Sequence, residues 1–297
     1  MSAVNPQLTR RRLLAALACS PLLMKFALAA EPQVDAHRVI AIEWLPLELL
    51  LALGVMPIGA AELHGYRDWV GEPKLPPDVV DVGLRTEPNL ELITQMKPSL
   101  IIYSEGYGPA PTGFQRIAPW MGFSFNDGKG KPLSNARRSL VTLAQRIGRE
   151  AQAQAHLSEL AALLAAAKVR LHERARRPLL LMSILDTRHA IVFTANGLFQ
   201  EVLDELGLQN AWQGESSFWG SAVIGIERLA AFRDVDVICY GHGNTAIEQQ
   251  VFATPLWQSF AFVREGRFKT MPRVWFYGAT LSAMQLVYSL EHALEAA

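Results

Sequence analysis

The chain has 297 residues, half of them apolar, enough to bury a large core as one big domain or two lobes of ordinary size. Its formal charge is zero only because the first thirty residues carry Arg10, Arg11, Arg12 and Lys25 with no acid; without them 24 basic face 28 acidic side chains, a net of −4. A mildly acidic body excludes nucleic acid as the expected partner, since phosphate binding needs clustered positive charge.

The segment "TRRRLLAALACSPLLMKFALAA" joins a basic cluster, an apolar run and small residues, the pattern of a cleaved export signal over residues 1–30. Thr9 to Leu14 fits the twin-arginine address used by proteins exported already folded, with an ordinary Sec signal as the alternative. Pro21 and Lys25 interrupt the run, which is too short to span a bilayer. Ala16 stands where a lipobox wants Leu, so Cys19 is discounted as a lipid anchor. Cleavage leaves Cys239, in the strand-like "DVDVICY", as a lone cysteine without an internal disulfide, and the mature protein is expected to be soluble outside the inner membrane.

Three strand–helix blocks follow the signal. "RVIAIEW" predicts a strand and "LPLELLLALGV" a helix closed by Gly54. "PIGAAE" is a second strand, followed by the polar loop "HGYRDWVGEP" and a proline-rich turn. "VVDVGL" then precedes the helix "EPNLELITQM", with Thr86 as its candidate cap. "PSLIIYSEGY" has the continuous apolar character of a parallel strand buried on both faces. From Asn135 to Arg177 there is no proline and a single glycine, Gly148, which predicts one helix and then a longer one of about seven turns at roughly 3.6 residues per turn. His156 and His172 on the longer helix lack ligand spacing and are expected to be solvated. After Pro178 strands and helices resume, and "ATLSAMQLVYSLEHALEA" closes the chain as a helix. The fold class is therefore α/β: two lobes with mainly parallel sheets joined by a single long α-helix, with a shallow ligand cleft between them. The expected division is an N-terminal lobe over 31–134, a helical segment over 135–177 and a C-terminal lobe over 178–297. One stiff helical crossing predicts small closure on binding.

No nucleophile elbow, zincin helix, paired-cysteine motif or phosphate-binding glycine loop is present, so the residues make no case for an enzyme. His242 in "YGHGN" lacks partners in the sequence, and Asp186, Arg188 and His189 in "LDTRHA" suggest a polar turn. The aromatics are more informative. Trp44 ends the first strand, Trp69 lies in the polar loop, Trp219 in "GESSFWGSA", and Trp275 with Tyr277 in "VWFYGAT". In parallel sheets ligands bind at the carboxyl ends of strands, where such rings would wall an amphipathic cleft. Arg85 and Tyr107 also follow strands. A guanidinium offers a planar fork of donors and a phenol adds one more, which suits a bulky ligand presenting several oxygens. The competing structural role for Arg85 is pairing with Glu87 or loop carbonyls.

The stretches "RRRLLAALACSPLL", "EWLPLELLLALG", "DVGLRTEPNLELITQMKPS", "GYGPAP", "NAWQGESSFWGSA", "ATPLWQ" and "VWFYGATLSAM" span nearly the whole chain. They resemble the periplasmic ferric-hydroxamate (ferrichrome-type) siderophore-binding proteins, class III substrate-binding proteins of ABC importers. The resemblance implies that Arg85 and Tyr107 bind the hydroxamate oxygens around Fe(III). It implies that Trp44, Trp69, Tyr103, Trp219, Trp275 and Tyr277 line the cleft, with Ser221 as a weaker polar candidate. Tyr103 departs from the family, where a Trp stands. Iron is implied only inside the chelate, with no cofactor and no protein metal ligand. The implied partners are a Fe(III)-hydroxamate siderophore and an inner-membrane ABC permease, with the protein a monomer. Glu227 matches the second-lobe docking acid, whereas Thr112 replaces the first-lobe one, leaving Glu105 as a neighbouring substitute. The alternatives are a binder of another bulky chelate (corrinoid, haem or a different siderophore) and a secreted carbohydrate-active enzyme.

Overall fold

Strand β1 (Val39–Ala41) is followed by α1 (Trp44–Ala52), β2 (Gly59–Ala60), α2 (Leu63–Trp69), β3 (Val80–Asp81), α3 (Leu90–Met96), β4 (Leu100–Glu105) and β5 (Trp120–Ser124). The computed structural model describes residues 34–108 and 110–295. The expected export signal, with its arginine cluster and Cys19, lies outside the described residues. All four pairings in this first sheet are parallel, in the order β3-β2-β1-β4-β5. Five of the six β4 residues are buried, as a strand covered on both faces requires. Helix α1 is buried all round, including Leu45, Leu47, Leu49 and Leu50, each contributing roughly 1.5–3 kcal/mol of burial.

Helix α4 (Pro132–Ile147) places Pro132 in its first turn and ends at Gly148, whose φ of 66° suits the left-handed cap position. Helix α5 (Glu150–His172) then runs for 23 residues. It buries the stripe Ala153, His156, Leu160, Leu164, Ala167 and Leu171, at three- and four-residue steps, and packs against α4 and the helices α6 and α10 given below. His156 corrects the expectation of a solvated residue: it is buried, and its Nε2 lies 2.8 Å from Thr280 Oγ1. Burial holds its pKa below the usual imidazole value. His172 is exposed as expected.

The second sheet uses β6 (Leu179–Ile184), β7 (His189–Phe193), β8 (Ser221–Gly225), β9 (Asp236–Tyr240) and β10 (Phe268–Met271). Helix α6 (Leu198–Leu206) follows β7, the short helices α7 (Thr245–Phe252), α8 (Pro255–Ser259) and α9 (Ala261–Arg264) follow β9, and α10 (Thr280–Glu295) follows β10. Its order is β10-β9-β6-β7-β8, parallel from β10 to β6 and antiparallel from β6 to β8. The "LDTRHA" turn closes the β6–β7 hairpin: Asp186 Oδ1 accepts from the backbone N–H groups of Arg188 and His189, and the carboxylate pairs with the His189 ring. Those local bonds lower the Asp186 pKa and explain why the chain reverses there. Cys239 is a core residue whose thiol is pushed up to about 12 by burial.

Two carboxylates cap helices that are remote in sequence. Glu201 of α6 accepts from the N–H groups of Leu133 and Ser134 at the start of α4. Glu48 of α1, completely buried, accepts from Ala279 N and Ser282 N at 2.9 and 3.0 Å and from Ser282 Oγ at 2.6 Å, at the start of α10. Both supply acceptors to the unpaired amides of a helix N-terminus, and the dipole there favours an anion. From Asp35 onward the described chain forms one compact unit.

Candidate ligand-binding cleft

Each strand of the first sheet delivers a polar or aromatic residue just beyond, or at, its carboxyl end. Glu43 follows β1, Glu62 follows β2, Arg85 follows β3, Ser104 and Glu105 end β4 with Tyr107 just after, and Phe125 follows β5. From the second half come Trp219, just before β8, and Trp275 and Tyr277, between β10 and α10. Glu43, Leu45, Arg85, Ser104, Glu105, Tyr107, Phe125, Trp219, Trp275 and Tyr277 line a cavity of about 290 Å³. A depression of about 540 Å³ at the amino ends of β6, β9 and β10 is larger. Its basic groups are occupied: Arg177 and Arg267 pair with Asp234, and Arg174 with Glu295.

Arg85 is the centre of the cleft, and its partners come from neither of the expected sources. Its Nη1 donates to Glu43 Oε1 at 2.9 Å and its Nε to Glu62 Oε2 at 3.1 Å. Among the described residues neither Glu87 nor a loop carbonyl accepts from its side chain. The guanidinium carbon lies 3.5 Å from the Trp44 ring centroid and 5.0 Å from that of Tyr107. The side chain is 11% exposed, and Nη2 has no protein partner among the described residues. Glu43 is itself anchored, since its Oε2 accepts from Leu45 N and Ser104 Oγ, both at 2.7 Å. Glu62 sits at φ 54° and ψ 54°, a left-handed conformation rarely held by a non-glycine residue, and its N–H donates to Gly83 O at 2.7 Å. The turn after β3 is thereby strapped to the turn after β2.

Two glycines permit the close approaches that aim the aromatics. A Cβ on Gly108 (φ 86°) would stand 2.8 Å from the Arg85 carbonyl, so only glycine lets this loop lie on Arg85 and carry Tyr107 over its guanidinium. A Cβ on Gly220 (φ 73°) would fall 2.0 Å from Gly197 Cα, so the loop bearing Trp219 is pressed onto the turn before α6. Asn126 ties both halves together, its Nδ2 donating to Asn196 O and Phe218 O at 3.1 and 3.2 Å. Trp219 stacks on Phe125 at 5.7 Å and meets Tyr277 edge-on at 5.4 Å. Burial raises the pKa of the Tyr277 phenol, against a lowering contribution from nearby Ser221.

Of the residues expected in the cleft, Arg85, Tyr107, Trp219, Trp275 and Tyr277 line the cavity, and Ser221 supports it through Tyr277. Three are placed elsewhere. Trp44 is buried beneath Arg85, its Nε1 donating to Ala61 O, so it is a platform for the guanidinium. Trp69 ends helix α2, where a polar loop was expected, and packs edge-on against His242 and Trp275 behind the cavity. Tyr103 is buried in the core between the first sheet and α3, against Phe114 and Trp120, with its ring over Gly122. Alternation along β4 puts Tyr103 on the face opposite Ser104, while Glu105 reaches the cavity from the exposed end of the strand. Asn89, not Thr86, caps α3 by accepting from Leu92 N. Glu43, Glu62, Ser104 and Phe125 were not anticipated. The strand-end rule for aromatics, applied to β5, would have found Phe125, and extended to acids and hydroxyls it would have found the other three. Glu227 and Thr112 are exposed, and Glu105 lines the cavity while accepting from Ser124 Oγ. His242 is half-buried with Nδ1 unpartnered, and burial and Arg273 lower its pKa. No group of three or more metal-ligating side chains occurs among the described residues.

The sequence profile of the family described as "Periplasmic binding protein" matches residues 39–274. The iron(3+)-hydroxamate-binding protein FhuD of Escherichia coli (strain K12) is 53% identical over 289 residues, covering 97% of each chain. The crystal structure of the Fe3+-Desferal-bound siderophore-binding protein FhuD from Vibrio cholerae matches with a TM-score of 0.82 at 30% identity, covering 88% of this chain and 99% of that one. The Fe(3+)-citrate-binding protein YfmC of Bacillus subtilis (strain 168) is more distant, 24% identical over 77% of this chain and 71% of its own. These relatives are binding proteins, and with the family profile matched over most of its length the chain belongs to the periplasmic binding protein family.

Proposed function

We propose that this protein captures ferric hydroxamate siderophores in the periplasm and hands them to an inner-membrane ABC permease. The observation that carries this reading is Arg85: a fixed guanidinium whose Nη2 has no partner among the described residues, at a cavity shared with Tyr107 and walled by Trp219, Trp275 and Tyr277. A ferric trihydroxamate presents oxygens around a neutral, bulky body, and charge-assisted bonds from a guanidinium to such acceptors contribute roughly 1.5–3 kcal/mol each. The ligand supplies the whole coordination sphere of iron, so no protein atom is needed on the metal. Binding without turnover is the expected activity. The similarity to the two FhuD proteins supports the ligand class.

The mature chain begins near residue 31 after removal of its export signal. Its lobes are 31–134 and 178–297, with 135–177 between them, and it acts as a monomer. Glu227, exposed at the start of the turn after β8, is the docking acid of the second lobe. The first lobe offers Thr112 at the corresponding place, so its contact is uncharged there or moves to Glu105.

Titration of purified mature protein tests the reading. Ferric hydroxamates at micromolar or lower concentration should quench its tryptophan fluorescence, because Trp219 and Trp275 line the cavity. Quenching by a corrinoid or by haem, with none by hydroxamates, would refute it.

A further inference from the structure

The two carboxylates on Arg85 change what the cleft can accept. Glu43 and Glu62 both contact one guanidinium, and Glu105 also lines the cavity. Two acids against one base leave this cluster with a formal charge of −1, and Glu105 adds to it. Neither Glu62 nor Arg273, the cation above Trp69, lines the cavity, but Glu62 acts on it directly through its contact with the Arg85 guanidinium. A site built to attract an anionic ligand would leave its arginine uncompensated. Here the charge of Arg85 is cancelled by the chain, while its hydrogen-bonding geometry is kept.

We propose that Glu43 and Glu62 are positioning residues that set charge selectivity: they aim Arg85 as a hydrogen-bond donor while making the cleft reject chelates with net negative charge. The inference rests on the siderophore reading above. Three hydroxamates each lose one proton, so their complex with Fe(III) is neutral and brings acceptors without net charge. A carboxylate-bearing chelate brings an anion towards Glu43 and Glu62, and like charges brought together reduce affinity. Glu62 carries the sharper test. It is more exposed than Glu43 and caps no helix through its side chain, so its amide variant keeps an acceptor for Arg85 Nε.

The experiment uses one linear trihydroxamate with a terminal amine in three ferric forms: the free ammonium, the neutral N-acetyl derivative and the anionic N-succinyl derivative. Affinities come from fluorescence quenching of the mature protein at low and moderate salt. In the native protein the neutral and cationic forms should bind more tightly than the anionic one. Glu62→Gln should shift the neutral-to-anionic affinity ratio by about fivefold towards the anion, the scale of a partly screened charge pair. Glu62→Asp, which keeps the charge, should restore the native ratio. A ratio that does not move in Glu62→Gln, however the individual affinities change, overturns the inference, as does equal binding of the anionic and neutral forms by the native protein. Failure of the native protein to bind even the neutral chelate removes the siderophore reading itself, and the inference with it.

Discussion

Arg85 and Glu48 are ionisable side chains of the first half, each enclosed by protein, yet they are used in opposite ways. Glu48 is completely buried and all its bonds go to the chain: two amides and a hydroxyl at the start of α10. Burial pushes its pKa up to about 7, against the lowering effect of those three donors. Arg85 gives Nε and Nη1 to Glu62 and Glu43, and its Nη2 has no partner among the described residues. A charge whose partners are all internal stabilises a junction between elements. A charge held from behind, with one donor left open, is prepared for a ligand.

Breaking the junction should give the largest effect. Glu48→Ala strands three buried donors at the head of α10, and a loss of roughly 3–5 kcal/mol in urea unfolding is expected. A loss below about 1 kcal/mol would mean that the helix start finds other acceptors. Next comes pH. The folded protein binds the Glu48 proton more tightly than the unfolded chain does, so this residue's contribution to stability is full below pH 4.5 and declines until the pH passes about 7. The decline is on the order of 3 kcal/mol. Subtracting the stability curve of Glu48→Gln from that of the native protein isolates it, and a flat difference between these pH values contradicts the assignment.

The cleft side of the comparison is read in affinity. Arg85→Ala should weaken ferric hydroxamate binding at least tenfold, since charge-assisted bonds worth roughly 1.5–3 kcal/mol are lost. It should also lower stability by about 1–3 kcal/mol, because the buried Glu43 loses its cation. Native affinity in the folded fraction of this variant would make Arg85 purely structural. Tyr107→Phe removes one phenolic donor and should cost about two- to tenfold, consistent with a neutral hydrogen bond. The smallest effect belongs to Tyr103→Phe, which should leave affinity unchanged within error, because Tyr103 packs on Phe114 and Trp120 outside the cavity. A clear shift in ligand preference would return Tyr103 to the cleft.

Much of this architecture is legible in the chain. The all-apolar "LIIY" run marks β4, the glycine at 148 separates α4 from α5, and the strand-end rule finds Arg85, Tyr107, Trp275 and Tyr277. The rule works best in the first sheet, where every strand runs the same way and every carboxyl end meets the cleft. In the second sheet the antiparallel β7 reverses direction, and Trp219 enters from the amino side of β8 instead. That reversal depends on the tight Asp186 turn, which local bonding favours but which apolar periodicity does not reveal.

Local sequence determines the strands, most of the helices and the residue types at the strand ends, because each depends on periodicity and on backbone preferences within a few positions. Only the tertiary structure decides which faces meet. It turns Tyr103 into the core and Ser104 into the cleft, slides Trp44 under Arg85 as a platform, and buries His156 against Thr280 from 124 positions away. Above all, it brings Glu43 and Glu62 from two other turns onto Arg85. No acid within the Arg85 turn predicts that pairing. Ion pairs across strand ends depend on sheet order, and sheet order is settled by packing distant segments together, not by the spacing of residues along the chain.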